Sequence, residues 1–193
     1  MAGLPHNMKE ADIRSIVKKG ELLSELDFER ASMADRTLRV LSKIDPSLSE
    51  LRNELRALLV AYESLHWTDA DKISEKQLAE SGMAEQVVFA EQRFLKHRKE
   101  IILARLTELG LIQKDLGTLL NHSKSYTSEL LNGIRAFSSN DLILIHKLLK
   151  IDLSDLFPTH ISAQTQKRIQ DSISKISSKN IRLKAPELEL TNS

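Results

Sequence analysis

The sequence predicts an all-α protein, on three observations. Leucine and isoleucine recur at three- and four-residue spacing through most of the chain, the period of an amphipathic helix. Aromatic residues make up only 4% of the 193 residues, whereas Leu, Ile, Lys, Glu and Ser are abundant. Six glycines and four prolines leave few interruptions. The length allows one or two domains with a proper core.

Taken in order, residues 1–7 are expected to lack order. Residues 9–19 carry Ile13, Ile16 and Val17 at helical spacing and end near Gly20. The pattern resumes over 22–41 with Leu22, Leu26, Ala34, Leu38 and Leu41. Asp45-Pro46 forces a turn, because the residue before proline avoids the helical region. Ser47 and Ser49 can cap the next helix, which places Leu48, Leu51, Leu55, Leu58, Leu59, Tyr62 and Leu65 on one broad stripe up to about Trp67. Such a stripe needs a partner surface, either a neighbouring helix or a second chain. Residues 67–81, bracketed by Thr68-Asp69-Ala70-Asp71 and Ser81-Gly82, read as a linker or exposed loop. From Met83 to Leu109 one long helix is predicted, with the basic cluster Lys96-His97-Arg98-Lys99 in its middle, read as a solvated face or a phosphate contact.

The most specific stretch is LIQKDLGTLLNHSKSYTSELLNG, residues 111–133. Residues 113–120 have helical spacing with Leu116, Leu119 and Leu120 on one face, and Asn121-His122 break it. Ser123 is a good N-cap for a second short helix bearing Leu130 and Leu131, which Asn132-Gly133 stops. Two short helices joined by a tight turn form the helix-turn-helix unit, whose second helix lies in the DNA major groove. Asn121 suits a turn position with positive φ. Gly117, costly in a helix by about 1 kcal/mol relative to Ala, suggests a close crossing of the two helices. The exposed start of the second helix would present Lys124, Ser125, Tyr126, Ser128 and Glu129. Lys can donate to guanine or phosphate, Ser can bond either, and Glu can accept from cytosine. An ordinary helical hairpin with a polar outer face is the alternative.

Ile134-Arg135-Ala136-Phe137 reads as a loop, and Ser138 or Ser139 as the cap of a helix over 141–150 with Leu142, Ile145, Leu148 and Leu149. Ile151, Leu153, Leu156 and Phe157 finish that core before Pro158. Residues 164–178 form a modest amphipathic helix with Ile169, Ile173 and Ile176, and 180–193 read as a tail that orders only on a partner.

The segment LGLIQKDLGTLLNHSKSYTSELLNGIRAFS resembles the helix-turn-helix of the phage-repressor (Xre/Cro) family, and the likeness covers residues 99–158. It implies a five-helix lambda-repressor-like DNA-binding domain behind a helical N-terminal region and a long connecting helix. It also implies a homodimer on palindromic, double-stranded operator DNA. By the same resemblance Gln113 starts the helix that contacts the phosphate backbone, and Ser123 and Tyr126, at the start of the second helix, count among the DNA-binding residues. Lys124, Ser125, Ser128 and Glu129 fall where base-reading side chains lie, and Arg135 is the natural phosphate contact of the following loop. The chain departs from the family at Thr127, where an apolar core residue is usual, at Asn121, where Gly is common, and at Ile134, where a Lys often follows Asn-Gly. The first departure is expected to weaken packing, and the last to remove a phosphate contact.

The order of parts, with DPSLSELRNELRALLVAYESLHW ahead of the long helix, is also similar to the HigA group of toxin–antitoxin antitoxins over residues 37–158. That likeness implies a repressor of its own operon that neutralises a RelE-like, mRNA-cleaving toxin. The alternatives are a stand-alone repressor of a phage or mobile element, and a protein-interaction module that no longer touches DNA.

Charge agrees with DNA binding by the second half. Residues 1–95 carry 13 basic and 17 acidic side chains, 96–160 nine and seven, and 161–193 six and three, so the balances are −4, +2 and +3. The absence of cysteine excludes a disulfide framework, a thiol nucleophile and a cysteine-based zinc site. The six histidines show no metal-binding spacing, and no Gly-rich phosphate loop or GxSxG is present. No enzymatic activity, cofactor or metal is expected. With no apolar run of about 18 residues and no apolar core in MAGLPHNMKEADIR, neither a membrane span nor a signal peptide is expected, and a cytoplasmic, nucleoid-associated location follows. The domains are expected at 1–81 (dimerisation or partner binding), 82–158 (DNA binding) and 159–193 (amphipathic helix and tail).

Overall fold

The structure, a computed structural model, describes residues 12–68, 73–158 and 163–177. Among these residues it has nine helices and no strand. The expectations for residues 1–7 and for the tail at 180–193 lie outside the described residues. Residues 11–157 form one compact unit, and the described part of a second unit is Pro158 and the last helix.

Three short helices build the N-terminal core. α1 (Ile13–Lys19) is capped by the Asp12 carboxylate, which accepts from the Ser15 N–H at 3.1 Å, and ends at Gly20 with φ 77°. α2 (Glu25–Leu41) starts at Ser24, whose hydroxyl oxygen accepts from the Asp27 N–H at 3.1 Å. α3 (Leu48–His66) has no hydroxyl cap of its own. Instead Asp45 holds the turn, accepting from the Ser47 hydroxyl at 2.6 Å and from the Ser47 N–H at 3.2 Å. The leucine stripe of α3 faces inward: Leu48, Leu51, Leu55 and Tyr62 are buried with Ile13, Ile16, Leu22, Ala31, Ala34 and Leu38. Each fully buried leucine or isoleucine among them contributes roughly 1.5–3 kcal/mol. Leu65, the last residue of the stripe, is exposed. The Tyr62 hydroxyl donates to Glu25 Oε1 at 2.9 Å, and burial together with that bond pushes its pKa well up.

The expected loop over 67–81 is helical from Glu75 onward, because α4 runs unbroken from Glu75 to Glu108. Ser74 starts it, its side chain accepting from the Gln77 N–H at 3.2 Å, and the Gln77 side chain donates to the His66 carbonyl at 2.8 Å. Ser81-Gly82 looked like a break, but one helical glycine costs only about 1 kcal/mol. Burial of Ala84 and Val88 and the Arg30–Glu91 ion pair, with both side chains largely buried, hold this part of the helix in place. α4 therefore crosses the boundary expected between residues 81 and 82 without interruption.

The second core gathers Ile102 and Leu106 of α4 with the helices that follow: α5 (Gln113–Leu120), α6 (Lys124–Leu131), α7 (Ser139–Leu149) and α8 (Leu153–Leu156). Ser138 and Asp141 form a reciprocal cap at the start of α7. Arg105 closes the other end, its Nε donating to the Leu149 carbonyl at 2.8 Å. In the second unit α9 (Ala163–Ser177) carries Ile169, Ile173 and Ile176 at helical spacing. No helix among the described residues is long and apolar enough to cross a membrane.

Candidate nucleic-acid interface

The geometry between α5 and α6 follows from four residues. Asn121 ends α5 in the left-handed conformation, at φ 57° and ψ 42°. Ser123 then starts α6, its hydroxyl oxygen accepting from the Tyr126 N–H at 3.2 Å. Gly117 lets the two helices meet. A Cβ there would stand 2.8 Å from the Thr127 hydroxyl and 3.0 Å from the His122 carbonyl. Thr127 is fully buried, and its hydroxyl donates to the Ser123 carbonyl at 2.9 Å. The expectation that Thr127 weakens the packing is therefore corrected: its polar atom is satisfied and its small size fits Gly117. We expect Gly117→Ala to destabilise the protein by about 1–2 kcal/mol, overpacking outweighing the helix-propensity gain of about 1 kcal/mol. A thermal melt of the variant at or above the wild-type midpoint would show that the crossing has room to give.

The structure brings the sequence-predicted residues onto α6 and its flanks. Gln113 is half-exposed at the start of α5, Ser123 and Lys124 are exposed, and Tyr126 and Ser128 are half-buried. Ser125 and Glu129, one turn apart, share a face of α6 that is not open. The Ser125 hydroxyl donates to Asp45 Oδ2 at 2.6 Å. Glu129 is only 3% exposed, and its carboxylate accepts from Arg14 Nε at 2.6 Å, Arg14 Nη2 at 3.0 Å and Arg135 Nε at 2.8 Å. The Arg135 guanidinium also lies over the Tyr126 ring, 4.7 Å from its centroid. Arg135 is thus held against α6.

Two charge shifts record these contacts. The Ser125 and Ser47 hydroxyl groups, with smaller help from Lys124, hold the Asp45 carboxyl below its ordinary range. Hydrogen bonding to Glu129 raises the Arg14 pKa against the opposing effect of burial. Both shifts favour the charged form, of the Asp45 carboxylate and of the Arg14 guanidinium.

Ile134 makes the same junction from the loop side. It is 1% exposed and packs in the N-terminal core, and its carbonyl accepts from the Ile13 N–H at 3.0 Å. Its place in the sequence, where related domains often carry Lys, is that of a core residue. His122, in the turn between α5 and α6, lies with Nε2 3.0 Å from Asp141 Oδ1 and its ring 4.6 Å from that of Tyr126.

The basic cluster of α4 is not a uniform solvated face. Lys96 and His97 are exposed, but Arg98 is 2% exposed, donates to the Leu156 carbonyl at 3.3 Å and lies over the rings of Phe94 and Phe137. Lys99 donates to Asn132 Oδ1 at 2.8 Å, which ties α4 to the end of α6. Sequence reasoning placed Asp45 in a turn but connected neither it nor Arg14 to α6. They lie 115 and 80 residues from their partners, and a lone Arg on α1 or a turn Asp carries no signal of what it will meet.

Residues 101–156 match the family model described as Helix-turn-helix, the stretch from Ile101 in α4 to the end of α8. No curated protein and no solved structure gives a significant match to the chain. The match and the α5–turn–α6 geometry agree on the same residues, and this chain carries the helix-turn-helix domain of a DNA-binding transcriptional regulator.

Proposed function

We propose that the protein is a sequence-specific repressor that binds operator DNA as a homodimer, and that it is the antitoxin of a type II toxin–antitoxin pair. The observation that carries the DNA reading is α6 itself: a helix capped by Ser123, set by a left-handed Asn121 against α5, with Lys124 exposed on its first turn. In a dimer two such helices would enter successive major grooves about 34 Å apart. Phosphate contacts from Lys and Arg would supply much of the affinity and make it salt-dependent. The antitoxin reading rests on the likeness of residues 37–158 to the HigA group, supported by a helical, acidic N-terminal half ahead of the DNA-binding domain. The partner would be a RelE-like, mRNA-cleaving toxin, and the protein would work at the nucleoid of the cytoplasm.

The test is a mobility shift of the purified protein on the DNA upstream of its own coding sequence, at two salt concentrations, with and without the product of the adjacent gene. Salt-sensitive binding that the neighbour alters is expected. Binding indifferent to the neighbour would remove the antitoxin role and leave a repressor. Lys124→Ala is expected to weaken operator binding by about 1–3 kcal/mol, roughly 5- to 150-fold, if the side chain reads a base. An equal loss on random duplex would make Lys124 a phosphate contact instead.

A further inference from the structure

The face of α6 that bears Ser125 and Glu129 is occupied from three directions, all within one compact unit. The turn before α3 reaches it through Asp45, α1 through Arg14, and the loop after α6 ties back through Ile134 and the Ile13 N–H. None of these contacts serves the DNA-binding core itself, which closes around Ile102, Leu116, Leu130 and Ile145 without them. The B-DNA major groove is about 12 Å wide and admits one helix. A helix with α1 and the α2–α3 turn on its reading face cannot seat that face in the groove. Nor can a Ser125 hydroxyl committed to Asp45, or a Glu129 carboxylate committed to two guanidinium groups, meet a base edge at the same time.

We infer that the N-terminal helices are an autoinhibitory clamp on the recognition helix, and that the operator-binding form is one in which α1 and the α2–α3 turn have left it. This rests on the operator-binding reading above. Opening does two things at once. It bares Ser125 and Glu129, and it parts Arg14 from Glu129, which keeps Arg135 as its partner. The closed form is masked and holds Glu129 between two guanidinium groups; the open form exposes that face and leaves Glu129 with Arg135 alone. Whatever binds the N-terminal helices therefore sets operator affinity by shifting this equilibrium. Apparent affinity is the intrinsic affinity reduced by the open fraction, so weakening the clamp raises it.

The variant of choice is Arg14→Gln in the full chain, because the Arg14 side chain is one-third exposed and its loss leaves both cores untouched. Asp45→Asn is the second, since the amide oxygen can still hold the Ser47 turn. Each is checked for wild-type helix content by circular dichroism. Operator duplex binding is expected to tighten about five- to tenfold in either variant, with random duplex as reference. A clamp readout that needs no DNA runs in parallel. The chain has no cysteine, so Ser125→Cys gives one thiol, to be compared with Asn140→Cys on an exposed position. The thiol at position 125 is expected to react at least about tenfold more slowly with a maleimide, and faster once Arg14→Gln is added. Wild-type and variant proteins binding operator equally, or a thiol at 125 as reactive as that at 140, overturns the clamp and leaves DNA binding standing. Protection at 125 that Arg14→Gln relieves, with no DNA binding by any form, overturns the operator reading, and the inhibition falls with it.

Discussion

Arg98→Ala is expected to lower the unfolding free energy by about 3–5 kcal/mol. Arg98 is 2% exposed on α4 and its guanidinium lies 4.9 Å from the Phe137 ring centroid and 5.3 Å from that of Phe94. It also donates to the Leu156 carbonyl, where α8 ends. Truncation removes the packing of a long side chain, a desolvated cation–π contact of about 2 kcal/mol and the donor of a buried carbonyl. Arg98→Met separates these contributions, because it keeps most of the volume and loses the charge. A loss of about 1–2 kcal/mol is expected for Met, measured by urea denaturation. A methionine variant as stable as wild type would show that the buried cation contributes shape alone.

Ile134→Ala is the second. The residue is 1% exposed, and although it follows α6 in the chain it packs among Ile13, Ile16 and Leu48 in the N-terminal core. A loss of about 2–5 kcal/mol is expected. The loss has a place: backbone amides of α1, held to the loop by the Ile13 N–H, should gain the most in hydrogen exchange, while those of α7 change least. Uniform acceleration across both cores would mean that Ile134 reports on global stability and not on the junction.

Much of this fold is written locally. The left-handed turn at Asn121, the cap at Ser123, the Gly117 crossing and the inward leucines of α3 each follow from neighbours in sequence, and each is found in place. Ile134 was legible as a departure from the related domains, but its meaning was not. An apolar residue in a polar loop says that something covers it, without saying what. Arg98 shows the converse. Inside a run of four basic residues it looked like one more solvated charge, and only the aromatic rings that gather around it, with Phe137 39 residues away in sequence, make it interior. The start of α4 failed for another reason: a polar, glycine-containing segment can stay helical when its ends are anchored, and the anchors at Ala84, Val88 and Glu91 come from packing on α2 and not from the segment itself.

The 34 residues of α4 make a rod about 50 Å long, at 1.5 Å per residue. Its early turns carry the ion pair to α2 and its late turns sit inside the DNA-binding core. No flexible joint lies between, so the two halves of residues 11–157 cannot swing apart as beads on a string. Separation of α1–α3 from α6 has to proceed by peeling along the rod or by a local loss of structure, both activated, first-order events. On the clamp reading, the protein would meet DNA on its own clock: above a modest concentration of duplex, the observed association rate would level off at the rate at which the molecule opens.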